Sequence, residues 1–457
     1  MDILKKRLTY IHTITSAIAL VLLPLFFSPQ ELTASNSSAE NIKLTDNPII
    51  KKYDPLLYFQ PNITPLFTEL YHAYGIEPLP SKINFDEAIY LDQSTPVSIL
   101  PLQPSNQVVF GRAHDILTAF HKRVGDLELY VDPNKPPPFF YTASGSKHLI
   151  VALVYAIVMS SPDKKFLFVE QAPFYSGHPS AVSGIFHYPN ARFLAFHDPS
   201  EIVLEPNEEL VEFVTSPNNP DGKFRQPITD ARILLADFVF ASSAFGNDEN
   251  GYLDKNIEWI RSARAAGKHV FSFNSASKQF GKTGARCGYI WYPMYDTYAQ
   301  SIFKNFFGFI SASTVSGGTI GLAHFLDLIE AFLKIPDTGK SLRQDAKQSL
   351  IQRHELISNE FIKHYPGSAI ISIPGSPTFF AKLKDNRLSN KKASDILLED
   401  FNISVNGGET MGETSQFIRL NLCGQSQQLV ELLNRLAGQK KYEKESVFIL
   451  KSHQKGE

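Results

Sequence analysis

Cysteine is nearly absent. Cys287 and Cys423 are the two in 457 residues, so no disulfide framework can staple the chain. No Cys/His cluster with metal spacing occurs either, and no metal site is expected. An excess of one charge is also lacking: 44 basic and 46 acidic residues give a formal net charge of −2. That balance offers no basic surface for a nucleic acid. No internal repeat is visible, which excludes repeat architectures.

What the chain has is apolar material. Hydrophobic residues make up 43% and phenylalanine alone numbers 35, enough for a large core shared by two unequal lobes. Apolar runs of strand length, Phe166–Val169, Leu210–Val214, Ile233–Ala236 and Val270–Phe273, alternate with helical stretches. The alternation predicts an α/β fold with a mostly parallel sheet. Leu149–Val158 reads as a buried helix, and Arg343–His354 and Gln427–Leu436 as amphipathic helices of the smaller lobe. Asp254–Arg261 reads as a helix capped by Asp254 and stopped near Gly267. Beyond Gly438 the Lys- and Glu-rich tail reads as solvated, with Val447–Leu450 a candidate docked element.

The N-terminus reads differently. Lys5-Lys6-Arg7 precedes an uncharged stretch from Leu8 to Gln30 with a dense apolar centre at Ala17–Phe27. A polar, small-residue segment follows, with Ser37-Ser38-Ala39 a candidate cleavage site. Export by a cleaved signal peptide is favoured. An uncleaved anchor is the rival, because the stretch is just long enough to span a bilayer; membrane contact is expected only in that case.

Two motifs carry chemistry. Ser275-Ala276-Ser277-Lys278 ends an apolar run, and Arg286 follows eight residues after the lysine. A buried lysine can lose its proton and condense with an aldehyde. A serine and an arginine beside it can hold a phosphate. Aldehyde plus phosphate describes pyridoxal 5'-phosphate. Upstream, Thr215-Ser216-Pro217-Asn218-Asn219-Pro220-Asp221-Gly222 forms a rigid turn at a strand end. That turn could present the Asn219 amide to a ring hydroxyl. Asp237, at the end of Ile233–Ala236, can pair with a pyridine nitrogen and keep it protonated. Alone, each feature is a common turn or cap; the order Asn, Asp, Lys, Arg is much rarer.

These motifs, with Gly284-Ala285-Arg286-Cys287-Gly288, resemble fold type I pyridoxal-phosphate enzymes. Ala172-Pro173-Phe174-Tyr175-Ser176 and Phe417-Ile418-Arg419-Leu420 resemble the branch of plant alliinases and tryptophan aminotransferases, over about Ile83 to Leu436. The resemblance implies a large cofactor-binding lobe at 82–330 and a smaller α/β lobe at 331–440. It further implies an N-terminal segment of the small lobe at 40–81, between the signal or anchor at 1–39 and the body, and a charged tail at 441–457. By the same resemblance, backbone N–H groups of Gly145, Ser146 and Lys147 bind the phosphate, completed by Ser275 and Arg286. Tyr175 lies against the ring, Lys278 forms the Schiff base and moves the α-proton, and Arg419 binds the substrate carboxylate. The cysteine-rich module of plant alliinases is missing here, so no role of that module is carried over.

The resemblance implies a homodimer acting on an L-amino acid, with a keto acid as second substrate if the reaction is transamination. An aminotransferase is preferred, with an alliinase-like C–S lyase as the alternative and a non-catalytic exported homologue as a third reading. Segments Leu91–Pro96 and Phe306–Ser316 are expected to shape the side-chain pocket, which would suit an aromatic or sulfur-containing amino acid. One departure stands out: Phe240 occupies the position three after the aspartate, where the family usually has a tyrosine donating to the ring hydroxyl. Losing that donor should raise the pKa of the lysine–cofactor linkage; Tyr252 is a candidate substitute.

Overall fold

The computed structural model describes residues 57–58, 66, 69, 106–241, 252–279, 281, 285–314, 319–334, 338–443 and 446. All belong to one unit, Pro55–Glu457. The expected signal segment 1–39, the loop Leu91–Pro96 and the stretch Val447–Leu450 lie outside the described residues.

Strand β1 (Leu57–Tyr58) runs parallel to Ile403–Ser404. The large sheet is built from β2 (Phe139–Ala143), β3 (Lys165–Gln171), β4 (Ala191–Phe196), β5 (Glu208–Thr215), β6 (Ile233–Asp237), β7 (His269–Ser275) and β8 (Gly288–Tyr292). Their spatial order is β2-β8-β7-β6-β5-β3-β4. Only β8 runs against the others, antiparallel to both β2 and β7. Central strands read as continuous apolar runs because helices cover both faces of a parallel sheet. All five residues of β6 are buried, as are Phe166 to Glu170 of β3.

Helix α1 (Asn106–Val124) is followed after β2 by α2 (Ser146–Ser160). Helix α2 is apolar all round, and a helix of that kind must be enclosed. Its Leu149, Ile150, Leu153, Val154 and Ile157 are wholly shielded in a core shared with Phe166, Phe168, Phe213 and Phe271 of the sheet. Each such aliphatic side chain contributes about 1.5–3 kcal/mol relative to exposure. Helix α3 (Leu253–Ala265) precedes β7, and α4 (Thr297–Thr314) packs against α2 and, through Phe303 and Phe306, against Tyr292 of β8. Asp296 starts α4 by accepting from the Tyr298 and Ala299 N–H groups at 2.8 and 3.1 Å.

After α5 (Thr319–Lys334) and α6 (Thr338–His364), a second sheet forms from β9 (Ala369–Ile370), β10 (Thr378–Lys382), β12 (Asn406–Gly407) and β13 (Phe417–Asn421). Its order is β12-β13-β10-β9, wholly antiparallel. Helices α7 (Ala393–Phe401) and α8 (Ser426–Ala437) complete the chain, and Ile403–Ser404 is β11.

Several expectations need correction. Helix α3 is not capped by Asp254; Tyr252, in a left-handed conformation at φ 64°, occupies the cap and Asp254 lies in the first turn. The helix read over Arg343–His354 is part of the much longer α6. Phe306 does not line a pocket: it is fully buried, 4.8 Å ring to ring from Tyr292. The tail is not simply solvated. Tyr442 is buried and donates to Glu360 Oε1 at 2.5 Å, while its N–H donates to Asn434 Oδ1 at 2.8 Å.

Candidate active site

In a parallel sheet the loops that can converge leave the carboxyl ends of the strands. Here those ends deliver Ser144-Gly145 from β2, Ala172–Tyr175 from β3, Ser216–Asp221 from β5, Asp237 on β6 and Ala276–Lys278 from β7. Strand β8 enters at the same edge, where Gly288 pairs with Ala143 on one side and Ser275 on the other.

The first part of the site is an anion cup. Gly145 occupies the N-cap of α2 at φ 99°, a conformation that favours glycine, and no side chain caps the helix. Its first N–H groups and the helix dipole therefore face an anion site. Arg286 lies against it: Nη2 donates to the Ser144 carbonyl at 3.2 Å and would sit 2.8 Å from a Cβ placed on Gly145. A Cβ on Gly288 would fall 2.4 Å from the Gly145 carbonyl carbon and 2.5 Å from the Ser146 nitrogen. Only glycine lets the turn approach β8 this closely. Lys147 is exposed, so it offers the cup its backbone N–H while its side chain faces solvent. Ser275 departs from expectation. Its hydroxyl donates to the Cys287 carbonyl at 3.0 Å and accepts from the Ser277 N–H at 3.2 Å. A phosphate contact would require that hydroxyl to turn.

Sequence reasoning missed His148. The Ser144 N–H donates to its Nδ1 at 3.3 Å, and Nε2 meets the Ser313 hydroxyl at 2.7 Å. Burial lowers its pKa. A neutral ring thus braces the turn from behind.

The second part is a polar floor. The paired asparagines divide their work. Asn218 Nδ2 donates to the Pro173 carbonyl and to Asp221 Oδ1, each at 2.9 Å, and so locks the loop. Asn219 is buried, with Oδ1 lacking a partner among the described residues. Buried amides are rarely left so unless a ligand completes them. Asp237 is buried and accepts from the Val239 N–H at 2.9 Å. Phe240 is buried too, and Tyr252 packs on Phe224 with ring centroids 5.7 Å apart.

Behind Asp237 stands a histidine the sequence did not announce. His178 Nε2 lies 3.4 Å from Asp237 Oδ2, and Nδ1 lies 2.7 Å from Glu170 Oε2. Burial alone would lower the His178 pKa, but the charges and hydrogen bonds of Glu170 and Asp237 outweigh it and push it up from 6.5 to about 9. Burial raises the Glu170 carboxyl, and His178 and Thr215 pull it part of the way back. Because the folded-state value of His178 exceeds its ordinary one, the bound proton stabilises the fold fully below about 6.5 and that contribution fades as pH rises through about 9. The thermal midpoint of the cofactor-free protein is expected to fall across that window, and the fall should shrink in His178→Gln. Equal pH dependence in both proteins would refute the assignment.

The third part is cationic. Lys278 is partly buried, and burial first, then the positive charges of Arg419 and Arg286, lower its pKa from 10.5 to about 8. Arg419, central in the small sheet between Phe380 and Asn406, is buried and makes no salt bridge among the described residues. Its own pKa falls to about 10, chiefly through burial. Tyr175 feels the charges of Asp237, Arg419 and Arg286 together, and burial raises its pKa so that it stays protonated. The fold thus gathers Tyr175, Asp237, Lys278, Arg286 and Arg419. An uncapped helix with an arginine, an amide oxygen without a partner, a carboxylate floor and an amine of lowered pKa fit pyridoxal 5'-phosphate.

Comparisons with known proteins agree with this geometry. The chain is similar in structure to the aspartate aminotransferase of Thermus thermophilus with maleate, at 18% identity over 85% of this chain and 92% of that one, with a TM-score of 0.55. Substrate-bound BacF of Bacillus subtilis matches at 16% identity over 89% and 96%, with a TM-score of 0.53. YbdL of Escherichia coli, described as having a methionine aminotransferase function, matches at 13% identity over 87% and 98%, with a TM-score of 0.52. At such identities these likenesses establish the fold. No curated protein matches the sequence. The family model described as allinase matches residues 116–440, more than two thirds of the chain. This chain therefore belongs to the allinase family, pyridoxal-phosphate-dependent enzymes of the type I fold.

Proposed function

We propose that the protein is an aminotransferase acting on an L-amino acid. The observation that carries the reading is Arg419, a buried guanidinium without a salt bridge among the described residues, whose charge acts on Lys278. A desolvated cation is costly until an anion arrives. The α-carboxylate of an amino acid suits its planar fork of donors. Pyridoxal phosphate, when bound, supplies an aldehyde that condenses with amines and a ring that draws electrons from the substrate's α-carbon.

The chain's residues do the rest. Backbone N–H groups of Gly145, Ser146 and Lys147 and the Arg286 guanidinium would hold the phosphate, with Ser275 joining them if its hydroxyl turns. Asp237 would accept from the ring nitrogen, the Asn219 amide would meet the ring hydroxyl and Tyr175 would pack against the ring. Lys278 Nζ, near 8, is partly uncharged at neutral pH, so it can take the α-proton and return it. One base that both takes and returns a proton suffices for amino transfer. The methionine aminotransferase function given for YbdL is in keeping with a sulfur-containing side chain.

A second reading, β-elimination of a sulfur leaving group, is favoured by the family match and uses the same residues. Tryptophan or methionine with a keto acid acceptor, and separately an S-alkyl cysteine sulfoxide without acceptor, distinguish the two. Amino transfer to the acceptor is the expected result. Pyruvate and ammonia from the sulfoxide alone would replace the proposal by the lyase. We further propose export through segment 1–39, with cleavage favoured over anchoring, and a homodimer, which the family resemblance supports.

A further inference from the structure

Glu170 ends the apolar run Phe166–Val169 of β3 and is itself buried. It lies one residue beyond the reach of the proposed chemistry: it touches His178, and His178 touches Asp237. We propose that Glu170 is a positioning residue, whose carboxylate holds His178 as an imidazolium and through it fixes the Asp237 carboxylate where it would accept from the cofactor's ring nitrogen. The inference rests on the cofactor reading above.

Hydrogen-bond accounting leads there. A neutral imidazole carries one N–H. The short contact, 2.7 Å from Nδ1 to Glu170 Oε2, claims it, so Nε2 of a neutral ring would turn a lone pair toward Asp237 Oδ2 at 3.4 Å. Two lone pairs facing one another in a buried site repel. The doubly protonated ring removes that clash: it hydrogen-bonds Glu170 through Nδ1 and turns a positive charge on Asp237 across 3.4 Å, where Nε2 makes an ion-pair contact without a formed hydrogen bond. Nor can the ring escape by rotation, because it stacks on Phe213 at 4.4 Å with planes 9° apart. Three elements face it: Glu170 from β3, Asp237 from β6, and Phe213 and Thr215 from β5. On its own turn, Tyr175 meets it edge-on at 5.3 Å and stays neutral. Thr215 donates its hydroxyl to Glu170 Oε1 at 3.0 Å, which occupies the other carboxylate oxygen. The charges then alternate from Glu170 through His178 to Asp237, and a protonated ring nitrogen would continue the alternation.

The test uses the intact chain with ring-labelled histidine. Thirteen histidines are present, and the His178 signal is identified by its loss in His178→Gln. Glu170→Gln keeps the acceptor for Nδ1–H and removes the charge. Thr215→Val disturbs the same spot and keeps the charge. The expected result is a His178 titration midpoint lower by about 1–3 pH units in Glu170→Gln, with less than half that change in Thr215→Val. The dissociation constant of pyridoxal phosphate should rise about tenfold in Glu170→Gln, the equivalent of one pH unit of coupling. An unchanged midpoint, or equal shifts in the two variants, would overturn the inference. Absence of cofactor uptake by the unmodified protein would instead defeat the cofactor reading, and the histidine titration would still decide whether Glu170 sets the charge of His178.

Discussion

Replacing Lys278 by alanine is expected to lower turnover at least about 10²–10⁴-fold, the usual contribution of a positioned acid–base group, even with cofactor in excess. The amine lies one turn beyond β7, and burial and two arginines keep it near 8, so no solvent-exposed lysine of ordinary pKa can stand in for it. Borohydride reduction of the unmodified protein with cofactor, followed by peptide mass spectrometry, should place the covalent label on Lys278. In Lys278→Ala the label should vanish. A label on the exposed Lys147 instead, or an undiminished rate, would remove Lys278 from the chemistry.

Arg419→Leu should act in opposite directions on stability and on activity. Truncating one partner of a buried charge pair costs about 2–5 kcal/mol, which for the enzyme–substrate pair means a kcat/KM lower by roughly 30-fold or more. Without ligand, however, Arg419 is a desolvated cation with no salt bridge among the described residues. A leucine there should therefore raise the thermal midpoint of the cofactor-free protein. The substitution should also raise the Lys278 pKa above about 8, since Arg419 is the second of the causes that lower it. Activity that depends on the uncharged amine would then need a higher pH. Unchanged kcat/KM, or a lowered thermal midpoint, would show that Arg419 serves the fold and not the substrate.

Much of the fold was legible because central strands buried on both faces must be apolar throughout, and Ile233–Ala236 followed by Asp237 can hardly be anything else. The loop Thr215–Gly222 was equally clear, since its prolines and asparagines admit few backbones. The layer behind the site was not. His178 and Glu170 are eight residues apart and meet Asp237 only through the pairing of β3 with β5 and β5 with β6. The signal available was Glu170 itself, a charge at the end of the buried run Phe166–Val169 that required a partner. Tail docking through Tyr442 and Glu360 spans 82 positions, beyond any local pattern. The cap of α3 misled for another reason: Asp254 is a fitting cap by type, but the chain enters through a left-handed Tyr252.

The contact between Gly145 and Gly288 has a consequence for descent. It is backbone against backbone, so drift in neighbouring side chains has little purchase on it, and almost any mutation at either glycine is obstructed. The floor and the carboxylate site, by contrast, are made of side chains that single substitutions can exchange. A lineage built this way can exchange the side chains around the site while its anchorage stays put. Ancestry should therefore be read from the cup, and chemistry from what surrounds it.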